Sequence, residues 1–97
     1  MYTVTQTPEF QHWLDNLRDM RAQVRITTRL DHIKTGTLGD WKPLGGALFE
    51  LRITYGPGYR LYFTFRGNAV VTLLAGGDKS NQDEDIQRAR RILANLV

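Results

Sequence analysis

The sequence predicts an α+β fold: a small, mostly antiparallel sheet with helices packed on one face, in the order β-α-α-β-β-β-α, as a single domain over residues 1–97. Two periodicities predict it. Segments 48–54 and 59–66 place apolar residues at every second position, the period of a half-buried strand. Segments near both ends place them three and four apart, the period of a helix lying on a core.

Tyr2 to Gln6 is β-branched and aromatic and reads as a short first strand. Thr7-Pro8-Glu9 then opens a helix: threonine caps free amides, proline at the first helical position has no amide to leave unpaired, and glutamate suits the positive end of the helix dipole. Phe10, Trp13, Leu14 and Leu17 form its apolar face. A second helix is expected from about Asp19 to Lys34, ending near Gly36, with Ile26, Leu30 and Ile33 buried. Arg18, Arg21, Arg25 and Arg29 recur along one side of this stretch as a basic stripe with few local carboxylates to neutralise it.

Thr35 to Gly46 is polar and glycine-rich, with Trp41 and Pro43 embedded, and is read as a connecting loop. In the next two strands Phe49, Leu51, Ile53, Tyr59, Leu61, Phe63 and Phe65 take the buried face, leaving Glu50, Arg52, Arg60, Tyr62, Thr64 and Arg66 on the other. Gly67-Asn68 signals a two-residue hairpin, and the strand after it, Ala69 to Ala75, is apolar on both faces, as in a central strand. Ser80 to Val97 reads as a final helix capped by Ser80, with Ile86, Ala89, Ile92, Leu93 and Leu96 at helical spacing.

Composition excludes several chemistries. With no cysteine, disulfides, thiolate catalysis and cysteine-held zinc are ruled out, which fits the cytoplasm. No apolar run approaches the roughly 20 residues of a membrane span, and the first residues lack the form of a secretory signal. His12 and His32 fall on separate helices, so a paired-histidine ribonuclease mechanism has no support. Neither a metal-ligand spacing nor a phosphate-loop pattern occurs, so neither a metal nor a cofactor is expected. Ten of the thirteen basic residues are arginine, whose planar fork grips phosphate at two points.

Register decides whether the basic residues of the strands converge. Odd-numbered residues are apolar on both sides of the first hairpin, so its loop must hold an odd number of residues, and Arg52 and Arg60 then share the open face. The tight Gly67-Asn68 turn is expected to set Arg60 opposite Ala75 and Tyr62 opposite Leu73. Lys79, in Gly76-Gly77-Asp78-Lys79-Ser80, follows at the sheet edge, where a loop becomes a helix start and backbone amides attract anions. Arg52, Arg60, Lys79 and Tyr62 together suit a phosphate and a stacked base.

Gly39-Asp40-Trp41-Lys42-Pro43-Leu44, Phe49-Glu50-Leu51-Arg52, Gly58-Tyr59-Arg60-Leu61-Tyr62-Phe63 and Gly76-Gly77-Asp78-Lys79-Ser80 resemble the RelE/ParE toxin superfamily. The resemblance is greatest to its HigB-like group of phage-derived, addiction-module killer proteins. It implies a toxin that binds the ribosomal A site and cuts mRNA there, the ribose 2′-hydroxyl attacking the adjacent phosphate. Its implied partners are the ribosome, mRNA and a cognate antitoxin, a helix-turn-helix protein encoded beside it. Carried over by position, Arg60 holds the scissile phosphate, Lys79 assists the leaving group or phosphate, and Arg52 orients the RNA. Tyr62 or Tyr55 stacks on a base, Arg66 adds to the RNA-facing surface, and Arg18, Arg21, Arg25 and Arg29 meet ribosomal RNA. Glu50, two residues before Arg52, stands where RelE carries a lysine, and RelE's tyrosine of the final segment is missing where Asp83 to Asp85 stand here, so Glu50 is either the general base or an ion-pair partner of Arg52 or Arg60. Two other functions stay open: ParE-type poisoning of DNA gyrase, and a non-enzymatic RNA-binding module.

Overall fold

The structure, a computed structural model, describes residues 1–96. In chain order it comprises β1 (Thr3–Gln6), α1 (Pro8–Asp15), α2 (Met20–Lys34), β2 (Trp41–Gly45), β3 (Leu48–Ile53), β4 (Tyr59–Arg66), β5 (Val70–Asp78), a 3₁₀ turn (Lys79–Asn81) and α3 (Gln82–Ala94). The class is α+β, with one strand more than the sequence predicts. Val97, the end of the expected final helix, lies outside the described residues.

Local chemistry sets the helix ends. The Thr7 hydroxyl accepts from the Phe10 amide at 3.1 Å and donates to the Leu74 carbonyl at 2.8 Å, so one side chain starts α1 and ties it to β5. Asp19 caps α2 through the Arg21 amide at 2.9 Å. Gln23 of α2 donates to the carbonyls of Leu14 and Leu17 at 3.0 and 3.1 Å, closing the end of α1 against α2. The start of α3 differs from the expectation. The helix begins at Gln82, after the 3₁₀ turn, and Asp78 caps that turn by accepting from the Ser80 amide at 2.8 Å; Ser80 is the donor, not the cap.

The five strands run in the order β1-β5-β4-β3-β2. β1 is parallel to β5, and the other neighbours are antiparallel. The added strand, β2, falls in the segment read as a loop. It is an edge strand, where Pro43 removes no ladder bond that the sheet requires.

The helices do not share one face. Phe10 and Leu14 of α1 and Ala22, Ile26, Leu30 and Ile33 of α2 pack with Leu51, Leu61, Phe63 and Leu73 on one side of the sheet. On the other side Ala89 of α3 packs with Leu48, Tyr62, Leu74 and Ala75. A bulge reconciles the two sides: Phe63 pairs with Leu73 and Tyr62 with Ala75, leaving Leu74 as an extra residue that turns toward α3 beside Ala75.

The second hairpin also differs. Arg66 pairs with Val70, so Gly67, Asn68 and Ala69 make the connection. A two-residue turn of the Asn-Gly kind requires positive φ at both central residues, and here Gly67 has it (65°) while Asn68 does not. With the bulge, Arg60 comes to lie opposite Gly77 and Tyr62 opposite Ala75.

Candidate functional site

The five-residue connection 54–58 gives β3 and β4 the register Arg52↔Arg60 and Glu50↔Tyr62. Two arginines directly opposite repel, and each has a carboxylate set against it. Arg52 Nη2 lies 3.2 Å from Asp40 Oδ1, while Arg60 Nε lies 3.6 Å from Glu50 Oε2. Arg60 also donates to the Gly58 carbonyl at 3.3 Å. Gly58 has a φ of 82°, and a side chain there would stand 3.7 Å from Arg60 Nη1 and 3.9 Å from the Lys79 side chain, so both cations close around this glycine. The result is a cleft of about 330 Å³ lined by Asp40, Arg52, Gly58, Arg60 and Lys79 among others.

Glu50 is fully buried beneath the cleft. Gln82, the first residue of α3, donates to its Oε2 at 2.9 Å, and Lys42 Nζ lies 3.9 Å from Oε1. Of the two readings of Glu50, this is the ion-pair geometry, with Arg60 rather than Arg52 as partner. Arg52 Nε and Arg60 Nε are buried without a hydrogen-bond acceptor, and Arg60 Nε is the atom that faces Glu50 across the ion pair.

Tyr62 is fully buried, because α3 covers the part of the sheet face that was expected to stay open, and it presents no ring to a base. Burial, reinforced by Glu50 and Asp85, pushes its hydroxyl far above the ordinary tyrosine range. Tyr55 is half-buried: Arg25 lies over its ring at 4.5 Å and its hydroxyl donates to Asp19 at 3.1 Å. Arg66 sits six residues from Arg60 along β4, about 20 Å away in an extended strand, and lies outside the cleft.

The basic stripe is divided. Arg18 precedes the cap of α2, Arg21 and Arg25 are exposed, and Arg29 is turned inward. Arg29 donates to the carbonyls of Arg52 at 2.8 Å and of Leu38 and Asp40 at 3.3 Å, filling the space where Gly39 has no side chain. Burial lowers its pKa, partly offset by Asp40. Arg29 therefore clamps the chain entering β2.

Asp40, Lys42, Gln82, Asp85 and Arg88 were not legible as site residues. Lys42 comes within reach of Glu50 only because β2 pairs the two residues. Asp85 packs against Gly77, where any side chain would collide with its carboxylate, and meets Arg88 at 2.8 Å. Burial raises its pKa, with Arg88 opposing. Among the described residues no group of histidines and carboxylates is placed to hold a metal, and no helix is long and apolar enough to cross a membrane.

The sequence profile described as "Phage derived protein Gp49-like" matches residues 12–94, nearly the whole chain and every cleft residue. The chain belongs to the Gp49-like family. That family is related to the killer proteins of addiction modules. This Gp49-like protein is also 40% identical, over 93 residues, to an uncharacterized protein of Haemophilus influenzae, the match covering 96% of this chain and 94% of the relative. The Gp49-like profile begins at His12, so β1 and the start of α1 lie outside it.

Proposed function

We propose that this Gp49-like protein is the toxin of a type II toxin–antitoxin pair, of the RelE/ParE kind and its HigB-like group, working in the cytoplasm as a ribosome-dependent mRNA endonuclease. The observation that carries the reading is the convergence of Arg52, Arg60 and Lys79 on one cleft around Gly58. A phosphodiester seated there meets guanidinium donors from two adjacent strands. As the 2′-hydroxyl attacks, charge builds on the non-bridging oxygens, and Arg60, held by Glu50, is placed to stabilise it. The bond from the 2′-oxygen to phosphorus forms as the bond from phosphorus to the 5′-oxygen breaks, leaving a 2′,3′-cyclic phosphate; Lys79 gives a proton to the departing 5′-oxygen, the 2′-hydroxyl proton passes to water, and Arg52, released from Asp40, orients the strand.

The cleft has little acid–base machinery of its own. Glu50 is buried among cation and amide partners, and Asp40 is paired with Arg52. Alignment of the 2′-hydroxyl then falls to the ribosome, which explains dependence on it. The test is primer-extension mapping of mRNA on programmed ribosomes, beside a gyrase supercoiling assay. Cleavage in the A site with ribosomes and none on free RNA is expected. Equal cutting of free RNA overturns ribosome dependence, binding without cutting favours a plain RNA-binding module, and gyrase inhibition with intact mRNA favours the ParE reading. An antitoxin, encoded beside the toxin and carrying a helix-turn-helix domain, is expected to restore growth on co-expression.

A further inference from the structure

The cleft does not end at Arg52. A second groove of about 410 Å³ runs between α2 and the end of β3, and it shares Asp40, Arg52, Ile53 and Thr54 with the first, so the two form one trench with Arg52 at the saddle. Its helix wall is Val24, Arg25, Thr28 and His32, which recur on one side of α2. Val24 is 65% exposed, and both Arg25, next to it, and His32, about two turns further along α2, are exposed as well.

We propose that this groove is a second nucleotide seat, holding the base and ribose next to the phosphate bound by Arg60 and Lys79. The inference rests on the RNA reading of the cleft and goes beyond it by assigning the path of the strand. Three features support it. Apolar surface from Val24 and Ile53, bordered by a planar guanidinium and a planar imidazole, is the composition on which an unstacked base is held. Its volume is within the range of small-ligand pockets, about 300–1,000 Å³. Its charge is cationic: Arg25, Arg29 and Arg52 face one carboxylate, Asp40, and Arg52 already pairs with that carboxylate at 3.2 Å. A phosphate arriving at the saddle takes the place of Asp40 on Arg52, so the strand is gripped where the grooves join.

The test is chemical-shift mapping on the intact protein with two ligands: inorganic phosphate, and a trinucleotide blocked against cleavage by 2′-O-methyl groups. Phosphate is expected to move signals of Arg52, Arg60 and Lys79 and none on α2. The trinucleotide is expected to move Val24, Thr28 and His32 as well. Val24→Asp, at an exposed position, is expected to weaken the trinucleotide by about tenfold, the scale of one lost base contact, and to leave phosphate binding unchanged. A trinucleotide that moves only the cleft signals, or equal binding by Val24→Asp, overturns the seat and leaves the cleft reading standing. No shift at Arg60 or Lys79 with either ligand overturns both.

Discussion

Arg60 is the residue on which the proposed chemistry turns, and it is held from two directions, by Glu50 at 3.6 Å and by the Gly58 carbonyl at 3.3 Å, with its side chain only 13% exposed. A cation so fixed acts on charge that develops in the transition state more than on docking of a large particle. Arg60→Ala is therefore expected to slow single-turnover cleavage by roughly 10²-fold while ribosome pelleting changes little. Loss of ribosome binding would reassign Arg60 to docking. Asp78 gives a stability test at the same scale. Its hydrogen bonds from the Ser80 hydroxyl and amide hold its carboxyl below the ordinary range, and burial opposes them weakly. The folded-state pKa is depressed, so the contribution is complete above the unfolded value of about 3.9 and is lost as pH falls through the lower folded value. Asp78→Ala is expected to cost about 1 kcal/mol in urea unfolding at neutral pH, a gap that narrows below about pH 4. Arg52 and Arg60 were legible in the sequence because strand period and loop parity together fix the face. The burial of Tyr62 was not, since period 2 says which face a residue takes and not what covers it.

Among the elements, β2 and α3 account for most of what the sequence did not disclose. β2 contains proline and glycine and reads as a loop because its stabilisation comes from elsewhere: pairing with β3, and Arg29 of α2 bonded to the carbonyls of Leu38 and Asp40 just before it. Asp40 in turn accepts from the Arg52 amide at 2.9 Å. Arg29→Ala is expected to free this corner, so that the Arg52 amide exchanges with solvent about tenfold faster while the Phe63 amide, in a central strand, keeps its rate. Unchanged exchange at Arg52 would show that strand pairing alone holds β2. For α3 a signal was present. The strand after Gly67-Asn68 was apolar on both faces, which requires cover on both, and the bulge at Leu74 sends one more leucine toward that cover. The shift of partner opposite Arg60, from Ala75 to Gly77, takes one residue from the three-residue connection and one from the bulge, and the bulge has no counterpart in side-chain periodicity, because Leu73, Leu74 and Ala75 are all apolar.

Across the whole molecule the basic residues separate into a cleft and a flank. Arg52, Arg60 and Lys79 line the cleft, whereas Arg18 and Arg21 stay exposed at the start of α2, outside the trench. If the flank meets ribosomal phosphates, replacing Arg18 and Arg21 together by alanine lowers ribosome affinity and flattens its salt dependence by one to two units of logarithmic slope, roughly one counterion per lost phosphate contact. A pelleting assay over a salt series reads this directly, and an unchanged slope removes this end of α2 from the docking surface. Arg29 is left out of this pair, since its guanidinium is engaged by three carbonyls.

The pairing of β1 with β5 joins Thr3 to Val70, and β5 is bonded to β1 on one side and β4 on the other. The order of synthesis therefore opposes the order of assembly. The first strand made waits for almost the last, and a loop of that length adds closure entropy and slows folding. Gly77 opposite Arg60, Lys79 at the rim and Gln82 on Glu50 all emerge after both arginines have been made. Until those residues have been made, a nascent chain carries Arg52 and Arg60 without the frame that sets them in a cleft.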